Sequence, residues 1–374
     1  MNHKGFQSLT DWLANYVDPN KIYIGMESTG SYHLTILDFL VNNNYDVALI
    51  NPKLIKSFIE SRTLRNTIND NISAKHISQF TKLNYHNLRE VKKDSITSLK
   101  PLVRERENVN EAITQEKNRI SNLINRVFPE LSRITNLFSQ TILKMLKKAP
   151  SARRLSQKNL SFVQHCIKDS KGGRIKTSAK DILDAAKSSI GVSDRNIEQI
   201  IIIKIKHLEQ LQETLNEIEA LIDQAVGSNN SIKKNSKILK SIKGIAEKTA
   251  IPFLVESGVL GTNIEDIFPS YKELIAYCGT DPGIKQSGSS INRQGKISKK
   301  GNAHLRSILY NMSRTVSNYG YFKQYYNKKR NEGKSYHKAI IAVGNKLIKI
   351  IYTLLKKQTE YDPAYHLNQV QWIA

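Results

Sequence analysis

Two stretches of this 374-residue chain step their apolar residues by three and four for too many turns to be anything but long helices. Val109, Ile113, Ile120, Ile124 and Val127 form the first; Ile201, Ile205, Leu208, Leu211, Leu215, Ile218 and Ile222 form the second. Apolar stripes of that length with charged flanks predict helices packed on each other or on a second copy, as in a coiled coil. They place a helical region at 101–230, between two segments of different texture. Within it, 144–180 gathers cations, Arg153 and Arg154 among them, around Gly172-Gly173. That stretch reads either as a solvated insertion or as a phosphate-contacting surface.

The first hundred residues read as α/β. Ile22–Met26 and Asp46–Ile50 are short apolar strands, the second stopped by Asn51-Pro52, and Tyr32 to Asn42 carries apolar residues at helical spacing. One strand–helix–strand unit of this kind predicts a parallel crossover. Two parallel strands cannot stand alone, because their faces and edges need cover. Residues 1–20 offer only an amphipathic helix, so the sheet is expected to be incomplete.

Charge narrows the partners. With 57 Lys+Arg against 33 Asp+Glu the formal charge is +24, which favours a polyanion, nucleic acid above all. No apolar run approaches the roughly 18 residues a membrane helix needs. Met1-Asn-His-Lys opens without an apolar run behind it, which predicts no secretory signal and a cytoplasmic setting. Cys166 and Cys278 are too few and too far apart in sequence for a disulfide framework or a cysteine-built zinc site.

Beyond a linker composition at Gly227–Ser231, a third, mostly helical region runs to about residue 357, followed by a tail at 358–374. In it, Lys243-Gly244-Ile245 and Lys248 sit between apolar helical stretches, a helix-hairpin-helix-like element whose amides suit a phosphate. Residues 279–306 read as a long loop in which Gly and Ser alternate with Arg293, Lys296, Lys299, Lys300 and Arg306, before a helix begins near Asn302. Such a loop lets backbone and cations approach phosphate closely. A serine within it is either a nucleophile toward phosphorus or part of a flexible basic loop. Glu27, just past the first strand, and Asp70 are by themselves surface or capping acids, and two carboxylates are too few for a two-metal phosphodiester site.

Taken in order, these segments resemble the IS110 family of insertion-sequence transposases. The N-terminal part of the resemblance rests on Gly25-Met-Glu-Ser-Thr-Gly-Ser-Tyr32, Asn51-Pro52 and Asn69-Asp-Asn-Ile-Ser-Ala74. The C-terminal part rests on Ile242-Lys-Gly-Ile245, Thr249-Ala250, Phe268, Leu274-Ile-Ala-Tyr-Cys-Gly279, Pro282, Ser287-Gly288, Ile297-Ser-Lys-Lys-Gly-Asn302, Leu305-Arg306 and the helix with Ala339, Val343 and Lys346-Leu347.

The resemblance implies α/β plus all-α architecture: an RNase H/RuvC-like domain with four acids (1–100), a coiled-coil region (101–230), a C-terminal transposase domain (231–357) and the tail. It makes Glu27 and Asp70 the second and third acids, both Mg²⁺ ligands, and Ser287 the nucleophile that joins to DNA. It implies donor and target DNA, a structured guide RNA, a dimer or tetramer of this chain, and a bacterial, nucleoid-associated setting. Two positions depart from the pattern. Ser73 stands where the fourth acid belongs, and no strand with the first acid precedes Glu27. The expectation is therefore a truncated or internally started copy with impaired strand transfer. A non-catalytic nucleic-acid-binding protein is the alternative; a RuvC-type junction nuclease leaves the long C-terminal region unexplained.

Overall fold

The computed structural model describes residues 3–15, 22–28, 32–62, 69–88, 90–91, 99–168, 177–261, 263–287 and 291–364, with backbone alone at residues 3, 32, 87, 284–287 and 291–295. The chain divides into two compact units. Met1–Lys100 and Val226–Ala374 form the first, and Pro101–Ala225 the second. The two outer segments, read from sequence as separate domains, thus fall into one unit.

In the first unit, α1 (His3–Ala14) precedes β1 (Tyr23–Glu27), α2 (Tyr32–Asn42), β2 (Asp46–Ile50), α3 (Pro52–Arg62) and α4 (Asp70–Asn84). The two strands pair in parallel with Glu27 opposite Ile50, as the crossover reading requires. A single bridge between Ala48 and Glu90 is the further pairing on this sheet among the described residues. Leu37, Leu40 and Val41 on α2 pack with Val47, Tyr45 and Leu13 to cover the sheet, and Phe6 of α1 stacks on Phe39 at 4.6 Å. Gly25 admits α4 from the other side: a β-carbon there would lie 1.9 Å from Thr81 Oγ1.

The second unit holds most of two long helices, α5 (Leu99–Val127) and α11 (Arg195–Gly227). Between them lie α6 (Leu131–Ile134), α7 (Gln140–Lys148), α8 (Ala152–Ser156), α9 (Leu160–Lys168) and α10 (Ala179–Lys187). The basic stretch is therefore largely built of short helices. Leu146, Leu155 and Val163, spaced between its cations, are buried, as is Ile182 just after it. Residues 169–176, with Gly172-Gly173, lie outside the described residues. On the long helices, Ile120, Ile124, Ile201, Ile205 and Leu208 are buried where the three–four stepping puts them.

The C-terminal part of the first unit contains α12 (Asn230–Lys240), α13 (Glu247–Ser257), α14 (Ile264–Ile267), α15 (Tyr271–Cys278), β3 (Pro282–Ser287), β4 (Ile291–Ile297), α16 (Ala303–Val316), α17 (Gly320–Asn331) and α18 (Tyr336–Lys357). α18 contacts α12 and α14 to α17, and its Val343, Leu347 and Ile351 meet Phe253, Leu274, Leu305 and Met312 in one core. Gly344 lets α16 approach, with Ser313 Oγ 2.9 Å from where a β-carbon would stand.

Three sequence expectations change. The long loop of 279–306 contains an antiparallel hairpin, β3 with β4. The linker at Gly227–Ser231 shrinks to Ser228 and Asn229, because Asn229 Oδ1 accepts from Ser231 and Ile232 N–H and starts α12 at once. The tail begins docked: Tyr361 N–H donates to Ser241 Oγ at 2.8 Å, and its ring stacks on Phe322. No helix among the described residues is long and apolar enough to cross a membrane. Cys166 and Cys278 are both buried, and neither is in a disulfide.

Candidate active site

Glu27 ends β1 at the C-terminal edge of the parallel pair, half-buried beside Ile50, whose carbonyl accepts from Ser28 N–H at 3.1 Å. Open parallel sheets place their ligands at this edge. Asp70 is the first residue of α4 and is exposed. It does not cap the helix; Asn69 does, accepting from Ile72 N–H at 2.9 Å. Its carboxylate instead sits where the helix dipole favours negative charge.

α4 runs antiparallel to β1. Thr81 lies on Gly25 and the Tyr23 hydroxyl donates to the Leu88 carbonyl at 3.3 Å, so the helix start and the strand end point the same way. Steps of four, four and three from Thr81 lead through Ile77 and Ser73 to Asp70, which places all four on the helix face turned to the strand. Glu27, Asp70 and Ser73 thus belong to one end of one layer.

The donor set there is two carboxylates and a hydroxyl. Among the described residues no three His, Cys, Asp or Glu side chains stand close enough together to hold a metal ion. Two divalent ions about 3.5–4 Å apart need several acids to neutralise them. The residues present do not fit a two-metal centre.

On the C-terminal side, Ser287 is the last residue of β3 and pairs with Ile291, so it stands at the far end of the hairpin; Arg293 pairs with Lys285 lower down. Six residues of strand carry it roughly 17–20 Å from the root. The side chains of Ser287 and Arg293 lie outside the described part. The root is held closely. Ser298 Oγ donates to Asp281 Oδ1 and Ser298 N–H to the Asp281 carbonyl at 3.0 Å. Lys299 N–H donates to the Gly279 carbonyl at 3.1 Å and Asn302 N–H to the Tyr277 carbonyl at 2.7 Å. Asn302 caps α16 and donates from Nδ2 to Glu256 Oε2 at 2.8 Å; Glu256 is buried, with Lys100 Nζ 4.0 Å away.

The expected phosphate-binding cations separate into two groups. Lys296, near the end of β4, and Lys299 and Lys300, in the strap after it, are exposed. Arg306 is half-buried and donates from Nη1 to the Cys278 and Gly301 carbonyls at 3.2 and 3.4 Å, so it clamps the strap. Lys243 lies over the Tyr319 ring at 5.1 Å, in the turn between α12 and α13 where Gly244 has φ +103°. Lys248 is exposed in the first turn of α13, a helix whose cap residue Ala246 has no side chain to satisfy the leading amides. In the second unit, Arg154 Nε donates to buried Glu198 at 3.1 Å and Arg153 to Ser193 Oγ at 3.4 Å.

A hydrogen bond between described residues joins the two halves of the site. Asn51 Nδ2 donates to the Lys300 carbonyl at 2.8 Å, across 249 residues of sequence. Its Oδ1 accepts from Lys53 N–H at 2.9 Å, which starts α3 with Pro52 as first residue, where a missing N–H costs nothing. A cleft of about 330 Å³ opens beside it, lined by Lys53, Lys56, Ser298 and Lys300 among others. The strand edge carrying Glu27 is thereby moored to the root of the hairpin carrying Ser287. The sequence reading noted Asn51-Pro52 but assigned it no role. Five of the 16 tyrosines, between 319 and 336, also went unused there; two of them, Tyr326 and Tyr336, line a second cleft described below.

Residues 1–129 match the DEDD transposase family of IS110 type, and residues 236–327 match the family described as "Transposase IS116/IS110/IS902 family". A pilin gene-inverting protein of Moraxella bovis is 22% identical over 98% of this chain and 90% of its own length. The namesake of Moraxella lacunata matches to the same extent. The insertion element IS110 uncharacterized 43.6 kDa protein of Streptomyces coelicolor is 24% identical over 74% of this chain and 68% of its own.

Proposed function

This chain belongs to the IS110 family of transposases, and we propose that within it Ser287 carries strand exchange through a covalent serine–DNA intermediate. The observation that carries the proposal is the mooring of the basic hairpin root to the acidic strand edge by Asn51 and Lys300. In the first step the Ser287 oxygen bonds to phosphorus and the bond from phosphorus to a sugar oxygen breaks. The proton lost by the serine is balanced by the one gained by the departing sugar oxygen. In the second step another strand's sugar hydroxyl reverses the exchange and releases the serine. One phosphodiester replaces another, so no external energy source is needed. Arg293, the cation placed nearest the Ser287 end of the hairpin, offsets the charge that builds on the non-bridging oxygens, while Lys296, Lys299 and Lys300 hold flanking phosphates at the root. Lys243 and Lys248 hold flanking phosphates at the α12–α13 turn, with Arg153 and Arg154 as contacts from the second unit. Arg306 serves by holding the strap in shape.

The family implies divalent magnesium as cofactor, a structured RNA guide, an oligomer of this chain, and action on donor and target DNA inside the bacterial cell. Glu27 and Asp70 are the residues through which a metal would be held. Ser73 in place of an acid favours a second reading, in which the chain binds nucleic acid without cutting it.

A DNA junction with bridging phosphorothiolates decides between them, because a sulfur leaving group traps the adduct. The first reading expects a detergent-resistant protein–DNA species from the parent and none from Ser287→Ala, with duplex affinity unchanged. An adduct that survives Ser287→Ala removes the serine mechanism. Binding without an adduct from the parent establishes the second reading. Ser73→Asp, measured by calorimetry, is then expected to raise magnesium affinity, and no gain removes Ser73 as the cause of impairment.

A further inference from the structure

A cleft of about 410 Å³ opens where the last turn of α16, the middle of α17 and the first turn of α18 meet. That volume lies in the roughly 300–1,000 Å³ range of small-ligand sites. Tyr326 and Tyr336 wall it edge to face, with ring centroids 6.3 Å apart, and Tyr336 is 42% exposed. Behind Tyr336, His337 packs edge-on at 5.4 Å and its Nδ1 is 2.8 Å from the Tyr310 hydroxyl, which holds the aromatic wall in place. Arg314 and Asn311 line the opposite side. Neither side chain makes a hydrogen bond or ion pair with another described residue. Tyr336 is also the first residue of a 22-residue helix whose cap residue, Ser335, makes no side-chain bond to the leading amides.

The surroundings select the ligand's charge. From Ala303 to Lys357 there are twelve Lys and Arg and one acid, Glu332, which is already paired with Lys329 and Lys334. An aromatic face, an unpaired amide and an unpaired guanidinium in such a field fit a flat, hydrogen-bonding group attached to phosphate. We propose that this cleft takes a single unpaired nucleotide of a nucleic-acid strand, its base stacked on Tyr336 and Tyr326, its edge read by Asn311 and its phosphate met by Arg314. A base inside a duplex cannot reach such a wall, so the site marks a bulge, loop or flipped position. The cleft is separate from the Ser287 hairpin, and the proposal rests on the reading of nucleic acid as partner.

The test uses the full chain and paired probes, one a perfect duplex and the other the same duplex with one bulged 5-iodouracil, each made in DNA and in RNA. Irradiation should crosslink the bulged base to Tyr326 or Tyr336, as mapped by peptide mass spectrometry. Tyr336→Leu should weaken binding of the bulged probe by about fivefold to 150-fold, leaving the perfect duplex unchanged. Tyr336→Phe, which keeps the ring, should bind like the parent. The nucleic acid that shows the effect identifies the source of the base. A crosslink elsewhere, or an equal loss on both probes, overturns the proposal. Excess mononucleotide that displaces the crosslink while both probes stay bound would make the site one for free nucleotides and overturn it too. A parent that binds neither probe defeats the nucleic-acid reading itself, a distinct outcome.

Discussion

A β-carbon on Gly301 would sit 2.0 Å from the Tyr277 carbonyl oxygen and 2.6 Å from Gly279 N. Both obstacles are backbone, so neither can rotate aside. Gly301→Ala is expected to cost about 1–3 kcal/mol by overpacking, read as a lowered denaturation midpoint, and to loosen the strap that roots the hairpin. Cys278 lies in the same knot, where burial pushes its thiol up to about 12 against the pull of Arg306. It therefore stays protonated and unreactive toward thiol reagents at pH 8 until the chain is unfolded. A thiol raised in this way stabilises the fold at pH values below its unfolded value. That contribution is lost as the pH climbs from there toward the folded value, so alkaline solutions weaken this part of the molecule. The sequence offered Gly279, Gly301 and Arg306 as small and basic loop residues, which is right in kind. That Arg306 spends its guanidinium on two carbonyls depends on chain returning from elsewhere, and no local pattern carries that information.

Among the elements, α5 and α11 meet around Glu116, whose side chain is 1% exposed although it lies on a charged helix. Burial opposes its ionisation, but hydrogen bonds from His207, Lys204 and Arg119, with the Lys204 charge, outweigh it and hold the carboxyl below the usual range. A depressed carboxyl stabilises the fold above its unfolded value and loses that contribution as pH falls through the folded one. Acid unfolding of the parent should therefore steepen below about pH 4.5. Glu116→Ala should flatten that region and lower neutral-pH stability by about 1.5–3 kcal/mol, as measured by denaturant titration. The apolar stepping predicted both long helices, but it marks Glu116 only as one more charged flank. Periodicity likewise gave α2 and β2 to the residue, because each has a clear apolar face. It passed over β3 and β4, where Gly, Ser, Lys and Arg supply no such pattern and the strands are recognised by their pairing with each other.

For the molecule as a whole, the union of the outer segments was the least legible feature. Glu27, Asp70 and Ser287 were picked out by resemblance, while the contact that relates their surroundings joins an asparagine side chain to a main-chain carbonyl. Neither group advertises a distant partner. Asn51→Asp isolates that contact: the carboxylate still accepts from Lys53 N–H and caps α3, but it has no N–H for the Lys300 carbonyl and repels it. Thermal stability should change little, whereas the yield of the serine–DNA adduct should fall with DNA affinity retained. Equal adduct yield would show that the mooring does not serve the chemistry. The α16–α18 face carries a further consequence. Between Ala303 and Lys357 one carboxylate stands against a dozen cations, and although Glu265 of α14 pairs with Lys356, most of the remaining counter-charge must be borrowed from solution. Whatever polyanion settles there is driven in part by setting those small ions free, so the grip of this protein follows the saltiness of its surroundings before it follows any sequence of bases.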